Sequence, residues 1–120
     1  MQAYRSAKED VRPLSRLLKA LGDENRLRMV ALLTGGELCV CHLEAALELS
    51  QWSTSRHLAA LRAAGVVDSR REGTWVHYRL AEQDDADRRE VLRSLVARFK
   101  KRDVFRRDAR RLLRGRRPCP

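Results

Sequence analysis

The feature that most constrains this chain is its punctuation: four short runs of helical periodicity are each cut off by glycine or serine, and a run of period two follows the last. Leu14, Leu17, Leu18 and Leu21 recur at helical spacing after Pro13, and Gly22 stands where a helix C-terminus favours glycine. Asp23 is placed to cap a second helix, whose apolar positions Leu27, Val30, Ala31 and Leu33 run until Gly35-Gly36. A short helix with Leu43, Ala46 and Leu47 on its apolar stripe stops at Ser50. Ser50 or Ser53 can cap the next, which runs to Ala64 with Thr54, Leu58 and Leu61 inward and Gly65 as its stop. Two short helices joined by a tight polar turn are the layout of a helix-turn-helix. Val66 to Arg71 and Trp75 to Leu80 then flank Glu72-Gly73-Thr74, and the second run sets Val76, Tyr78 and Leu80 against Trp75, His77 and Arg79 on opposite faces. This is the pattern of a β-hairpin. The expected fold class is mainly α with a small β-hairpin: a winged helix-turn-helix with the hairpin as its wing.

A length of 120 residues suits one domain. Residues 1–12 read as an N-terminal arm or short helix, 13–83 as the winged helix-turn-helix, 84–113 as a C-terminal helix and 114–120 as a disordered basic tail. The C-terminal helix has acidic residues Asp84, Asp85 and Asp87 at its start and an apolar seam of Val91, Leu92, Leu95, Val96 and Phe99. Phe105, Ala109 and Leu112 continue it after a phase slip at Lys100-Lys101-Arg102. On so small a chain the seam reads as a homodimer contact made with the first helix, the alternative being that it packs on its own domain.

A formal charge of +10 points to a polyanionic partner, nucleic acid before an anionic membrane. Most of the excess lies late: residues 1–82 carry 12 Lys/Arg against 10 Asp/Glu, and residues 83–120 carry 14 against 6. Bulk charge alone therefore does not locate the DNA site. No apolar stretch approaches the ~20 residues that cross a bilayer, and the start Met1-Gln-Ala-Tyr-Arg has no signal-peptide pattern, so a cytoplasmic protein without a membrane partner is expected. The 3 cysteines then argue against a disulfide scaffold. There is no Cys-x-x-Cys motif and no evident nucleophile–base pair, so an enzyme is not expected.

Four ordered motifs carry a resemblance: Glu37-Leu-Cys-Val-Cys-His-Leu, Ser50-Gln-Trp-Ser-Thr-Ser-Arg-His-Leu58, Leu61-Arg-Ala-Ala-Gly65 and Gly73-Thr-Trp-Val-His-Tyr-Arg-Leu80. Over roughly Leu14 to Leu80 the chain resembles the ArsR/SmtB family of metal-sensing repressors, in its arsenical-resistance branch. The resemblance implies a homodimer that binds double-stranded operator DNA without any cofactor and dissociates when an inducer binds.

The residues support that reading on physical grounds. A helix entering the major groove needs short polar side chains near its N-terminus, which Gln51, Ser53 and Ser55 supply. Arg56 can contact guanine or backbone, and Arg70, Arg71 and Arg79 of the wing are candidate phosphate contacts. Each has a plain alternative: Ser50 and Ser53 as caps, Arg56 as a solvated charge, His57 as a satisfied, partly buried histidine. Trp52 stands where the family commonly has proline, which puts the turn geometry in question.

Cys39 and Cys41 are the sharpest chemical feature. Paired thiolates select soft ions such as arsenic(III), antimony(III), cadmium, lead or copper(I). On a regular helix positions i and i+2 diverge, so the pair is expected to need, or to impose, a non-helical start to the helix before Leu43. The family's arsenic branch often adds a third cysteine three residues later; here that place is Glu44. Cys119 is a candidate third ligand from the tail, since trigonal arsenic(III) takes three thiolates, whereas methylarsenic(III) needs only two. His42 stands next to the pair, and a second family site on the C-terminal helix finds no histidine there, because all three lie at 42, 57 and 77. The competing expectation is a redox-responsive repressor in which Cys39, Cys41 or Cys119 forms a disulfide.

Overall fold

The structure is a computed structural model and describes residues 10–115. The expectations for residues 1–9 and for the tail from 116, Cys119 included, lie outside the described residues.

Helix α1 (Arg12–Leu21) carries Pro13 in its first turn, where a missing N–H costs nothing, and buries Leu17, Ala20 and Leu21. Helix α2 (Glu24–Leu33) starts on Asp23, whose carboxylate accepts the N–H groups of Asn25 at 2.8 Å and Arg26 at 3.2 Å. It is the central element, with Met29 to Leu33 all buried. Strand β1 (Leu38–Cys39) leads directly into α3 (Val40–Leu47), and α4 (Gln51–Ala63) follows after Glu48 turns the chain through a left-handed φ of 56°. Strands β2 (Val67–Glu72) and β3 (Trp75–Leu80) form the hairpin. Its tip needs Gly73, which holds φ at +62°.

The sheet has one strand more than the period-two pattern revealed. Its order is β1-β3-β2, all antiparallel, with Leu38 opposite Tyr78 and Cys39 opposite His77. A second departure lies at the C-terminus. The expected single helix over 84–113 is two helices, α5 (Ala86–Phe99) and α6 (Asp103–Gly115), and the break falls at the phase slip. Phe105, Ala109 and Leu112 pack on the core of their own domain, where α6 lies across α3 and α2. The core itself joins Leu17 of α1, Met29 and Val30 of α2, Leu43 and Leu47 of α3, Leu58 and Leu61 of α4, and Val66 just before β2.

Candidate nucleic-acid interface and thiol site

Helix α4 divides its residues by face. Thr54, His57, Leu58 and Leu61 are buried, while Gln51, Trp52, Ser55 and Arg56 are exposed. Ser50 is the cap: its Oγ accepts the Ser53 N–H at 3.1 Å, and its carbonyl accepts the Thr54 hydroxyl at 2.8 Å. Ser53 is half-buried beside it. Trp52 sits in the first turn without disturbing that cap, 68% exposed, and the Arg56 guanidinium stacks 4.6 Å from its ring centre. An aromatic plate and a cation are thus presented together at the end of the helix that would enter a groove.

His57 does not face outward. It is buried, and its Nδ1 accepts a hydrogen bond from Arg26 Nε at 3.2 Å. Asp23 lies 3.8 Å away. Desolvation works against the Asp23 charge, but N–H bonds from Arg26 and Asn25 and the neighbouring His57 and Arg26 hold its carboxyl below the usual range. His57 is therefore a tie between α4 and the start of α2.

In the wing, the three arginines separate into two roles. Arg70 Nε donates to both Glu37 oxygens, at 2.9 and 3.0 Å, and its Nη1 reaches Glu72 at 2.8 Å. Hydrogen bonds from Arg70 hold both carboxyls below their ordinary range. Its charge is consumed in bracing β2 to the residue before β1. Arg71 and Arg79 are exposed and, among the described residues, pair with no carboxylate.

The two cysteine sulfurs lie 3.4 Å apart. Cys39 is extended (φ −72°, ψ 150°) at the end of β1 and only 2% exposed, and Cys41 is in the first turn of α3. One extended residue at the strand–helix junction is enough to converge the pair, so the expected non-helical start before Leu43 is not needed: α3 is helical from Val40. With a metal–sulfur bond of about 2.3 Å, sulfurs at this spacing subtend about 95° at a shared ion, which suits a pyramidal trivalent centre better than a tetrahedral one. Cys39 is a free thiol, whereas Cys41 is disulfide-bonded, so the pair becomes a dithiolate donor on reduction. No group of 3 or more His, Cys, Asp or Glu that would hold a metal forms among the described residues. Glu44 and His42 are half-buried, and burial pushes the Glu44 carboxyl up.

One cluster was not foreseen. Asp108 of α6 is fully buried and accepts from Arg28 Nε and Nη2 at 2.9 and 3.0 Å and from Arg111 Nη2 at 2.6 Å. The same two arginines cap the end of α3, Arg111 on the Ala46 carbonyl at 2.7 Å and Arg28 on the Leu47 carbonyl at 3.0 Å. The signal was present in the sequence: Asp108 lies three residues after Phe105 and four before Leu112, on the apolar seam.

Comparison with known proteins gives these features a context. Residues 23–69 match the family model for bacterial regulatory proteins of the arsR family. The chain is 57% identical over 65 residues to the arsenic resistance transcriptional regulator ArsR1 of Pseudomonas putida, a match covering 53% of this chain and 51% of that protein. It is 56% identical over 66 residues to the arsenical resistance operon repressor of Escherichia coli, covering 54% and 56%. The match thus spans about half the length of these relatives. Among solved structures, reduced HlyU from Vibrio cholerae superposes with a TM-score of 0.66 at 34% identity, over 77% of this chain and 94% of that one. The homodimeric winged helix-turn-helix DNA-binding domain of a Mycobacterium bovis regulator superposes with a TM-score of 0.62 at 30% identity, over 83% and 88%.

Proposed function

The chain belongs to the ArsR family of bacterial regulatory proteins, and from that premise we propose that it is a homodimeric cytoplasmic repressor that leaves its operator when arsenic(III) or antimony(III) binds at Cys39 and Cys41. It is a transcriptional regulator and not an enzyme. Among the described residues no helix is long and apolar enough to cross a membrane. Gln51 and Ser55 read base edges in the major groove, Ser53 and Arg56 contact the rim of the same groove, and Arg71 and Arg79 anchor the wing to phosphate. Arg70 serves the same contact by fixing the wing rather than by touching DNA.

The observation that carries the inducer reading is the convergence of two sulfurs at the junction of α3 with β1, the strand that is hydrogen-bonded to the wing. Two reduced thiolates supply soft donors at the right spacing for a trivalent metalloid. Ligation must draw on Cys39, which is buried in β1, and on Cys41, which opens α3. A shift at that junction passes along two routes. Pairing of Cys39 with His77 carries it into β3 and the wing, and α3 carries it to the turn that positions α4. Cys119 is the candidate third thiolate for arsenite, with methylarsenic(III) satisfied by the pair alone.

The test is release of operator DNA by Cys39→Ser and Cys41→Ser proteins in reducing buffer. Each variant is expected to bind DNA as the parent does and to ignore arsenite, because a hydroxyl replaces the soft donor at nearly the same size. Release at the parental arsenite dose by either variant removes the site. A second reading, control by thiol oxidation, draws support from the disulfide at Cys41. Parallel titrations with arsenite, antimonite, cadmium and peroxide separate the two, since peroxide alone dissociates a purely redox-controlled protein.

A further inference from the structure

Helix α6 is more basic than its packing needs. Its inner face is spent on Phe105, Asp108, Ala109 and Leu112, and Arg106 is neutralised by Asp103 at 2.6 Å. Arg107, Arg110 and Arg114 are exposed and, among the described residues, have no carboxylate partner. These three fall within about 60° of arc on the helix. Arg107 and Arg114 stand four before and three after Arg111, so they share its flank of the helix. Arg111 reaches the Ala46 carbonyl at 2.7 Å and the Glu48 carboxylate at 3.7 Å, at the end of α3. Arg111 thus sets this stretch of α6 beside the end of α3 and the turn at 48–50 that opens the recognition helix, with the ridge on the outer side of α6. The buried Asp108 network fixes it there instead of leaving it on a loose tail.

We propose that Arg107, Arg110 and Arg114 form a second DNA contact, which grips backbone phosphates outside the base pairs read by α4 and the wing. This rests on the repressor reading and extends its footprint. The chemistry fits the occupant: guanidinium groups pair bidentately with phosphate oxygens. From Arg107 to Arg114 the helix rises about 10 Å, a length spanning about three phosphates of one strand. The contact carries no sequence information, so it adds affinity on any flanking sequence.

The experiment uses a palindromic duplex selected by the parent protein from a random pool, first trimmed to its protected core and then lengthened by 10 base pairs at each end. The parent is expected to prefer the long duplex by about 10-fold at low salt, with a log–log salt slope steeper by about 5 for six added phosphate contacts per dimer. The triple variant Arg107→Gln, Arg110→Gln, Arg114→Gln leaves Arg111 in place and should bind core and long duplex alike, with parental affinity for the core. The corresponding triple lysine variant should recover most of the preference, which separates a charge contact from a folding defect. Equal binding of the two duplexes by the parent, or a preference kept by the glutamine variant, overturns the proposal. So does arginine-dependent sedimentation with phosphatidylserine vesicles when duplex length has no effect, which assigns the ridge to membrane. Failure of the parent to bind the core duplex at all is a different result and counts against the repressor reading itself.

Discussion

At the scale of single residues, Asp108 is a fully buried carboxylate held between two arginines. Its side chain has no exposure, while its partners Arg28 and Arg111 retain 13% and 25%. The hydrogen bonds that Arg28 donates to Asp108 hold its guanidinium above the ordinary range against the opposing effect of burial. Removing the carboxylate leaves two cations facing each other at the end of α3, and breaking a buried pair from one side costs about 3–5 kcal/mol. Asp108→Ala is thus expected to lower unfolding free energy by about 3 kcal/mol in urea melts. Replacing the core of the network together, Asp108→Leu with Arg28→Met, should recover much of that loss, because the more buried pair is removed as a unit while Arg111, 25% exposed, keeps Glu48 and the Ala46 carbonyl. A single variant as stable as the parent shows that the network does not bear on folding. The sequence held the clue only as a charged residue on an apolar seam; which arginine answers it, 80 residues away, depends on tertiary packing and is not encoded in local periodicity.

At the scale of elements, the caps and stops were legible and the junctions were not. Asp23, Ser50 and Gly73 each act through local chemistry, a side-chain acceptor or a positive φ, and all three sit where the pattern put them. Strand β1 has only two residues, too few to show a period, and it exists because β3 offers it an edge. The α5–α6 break left only a phase slip, since Lys100-Lys101-Arg102 has good helix propensity throughout. Of the candidate DNA contacts, Gln51, Ser55, Arg56, Arg71 and Arg79 are exposed and Ser53 is half-buried, while the ion pairs of Arg70 required contacts from Glu37 that no spacing announces. The Trp52–Arg56 stack belongs to this scale because it presents one face of α4. An exposed cation–π contact is worth about 0.5–1 kcal/mol, so Trp52→Ala should weaken operator binding by about 2–5-fold through loss of Arg56 positioning. Trp52→Phe should keep most of the affinity, and the salt slope should hold in both variants because no cation is lost. Parental affinity of Trp52→Ala in anisotropy titrations would detach the stack from DNA binding.

At the scale of the whole molecule, shape and exposed surface argue for a pair of subunits. The described chain measures 54 × 34 × 20 Å, and its thin dimension is about two helix diameters. A slab of that thickness cannot cover both faces of every helix. Since α6 folds back over α3 and α2, the outer faces of α1 and α5 are the ones it leaves uncovered, and the proposed dimer would use them. Val11 and Leu18 of α1 are 60% and 52% exposed, with Leu14 half-buried between them. Val91 and Leu95 of α5 are half-buried, and α5 packs against α1. In the proposed homodimer, two-fold pairing of this patch would bury it in both copies and would let two recognition helices address successive major grooves, which lie about 34 Å apart along a duplex. Leu18→Glu places a charge in the middle of that patch at a site already half in water, so the subunit itself should fold normally by circular dichroism. Sedimentation equilibrium should then report monomer at concentrations where the parent is a dimer. Affinity for the palindrome should fall by about 100-fold, because the second half-site is no longer reached at high effective concentration. Binding to a single half-site should change little, which distinguishes a broken dimer from a damaged reading head. If Leu18→Glu remains dimeric and binds the palindrome as the parent does, the pairing surface lies elsewhere and the exposed leucines of α1 have another use.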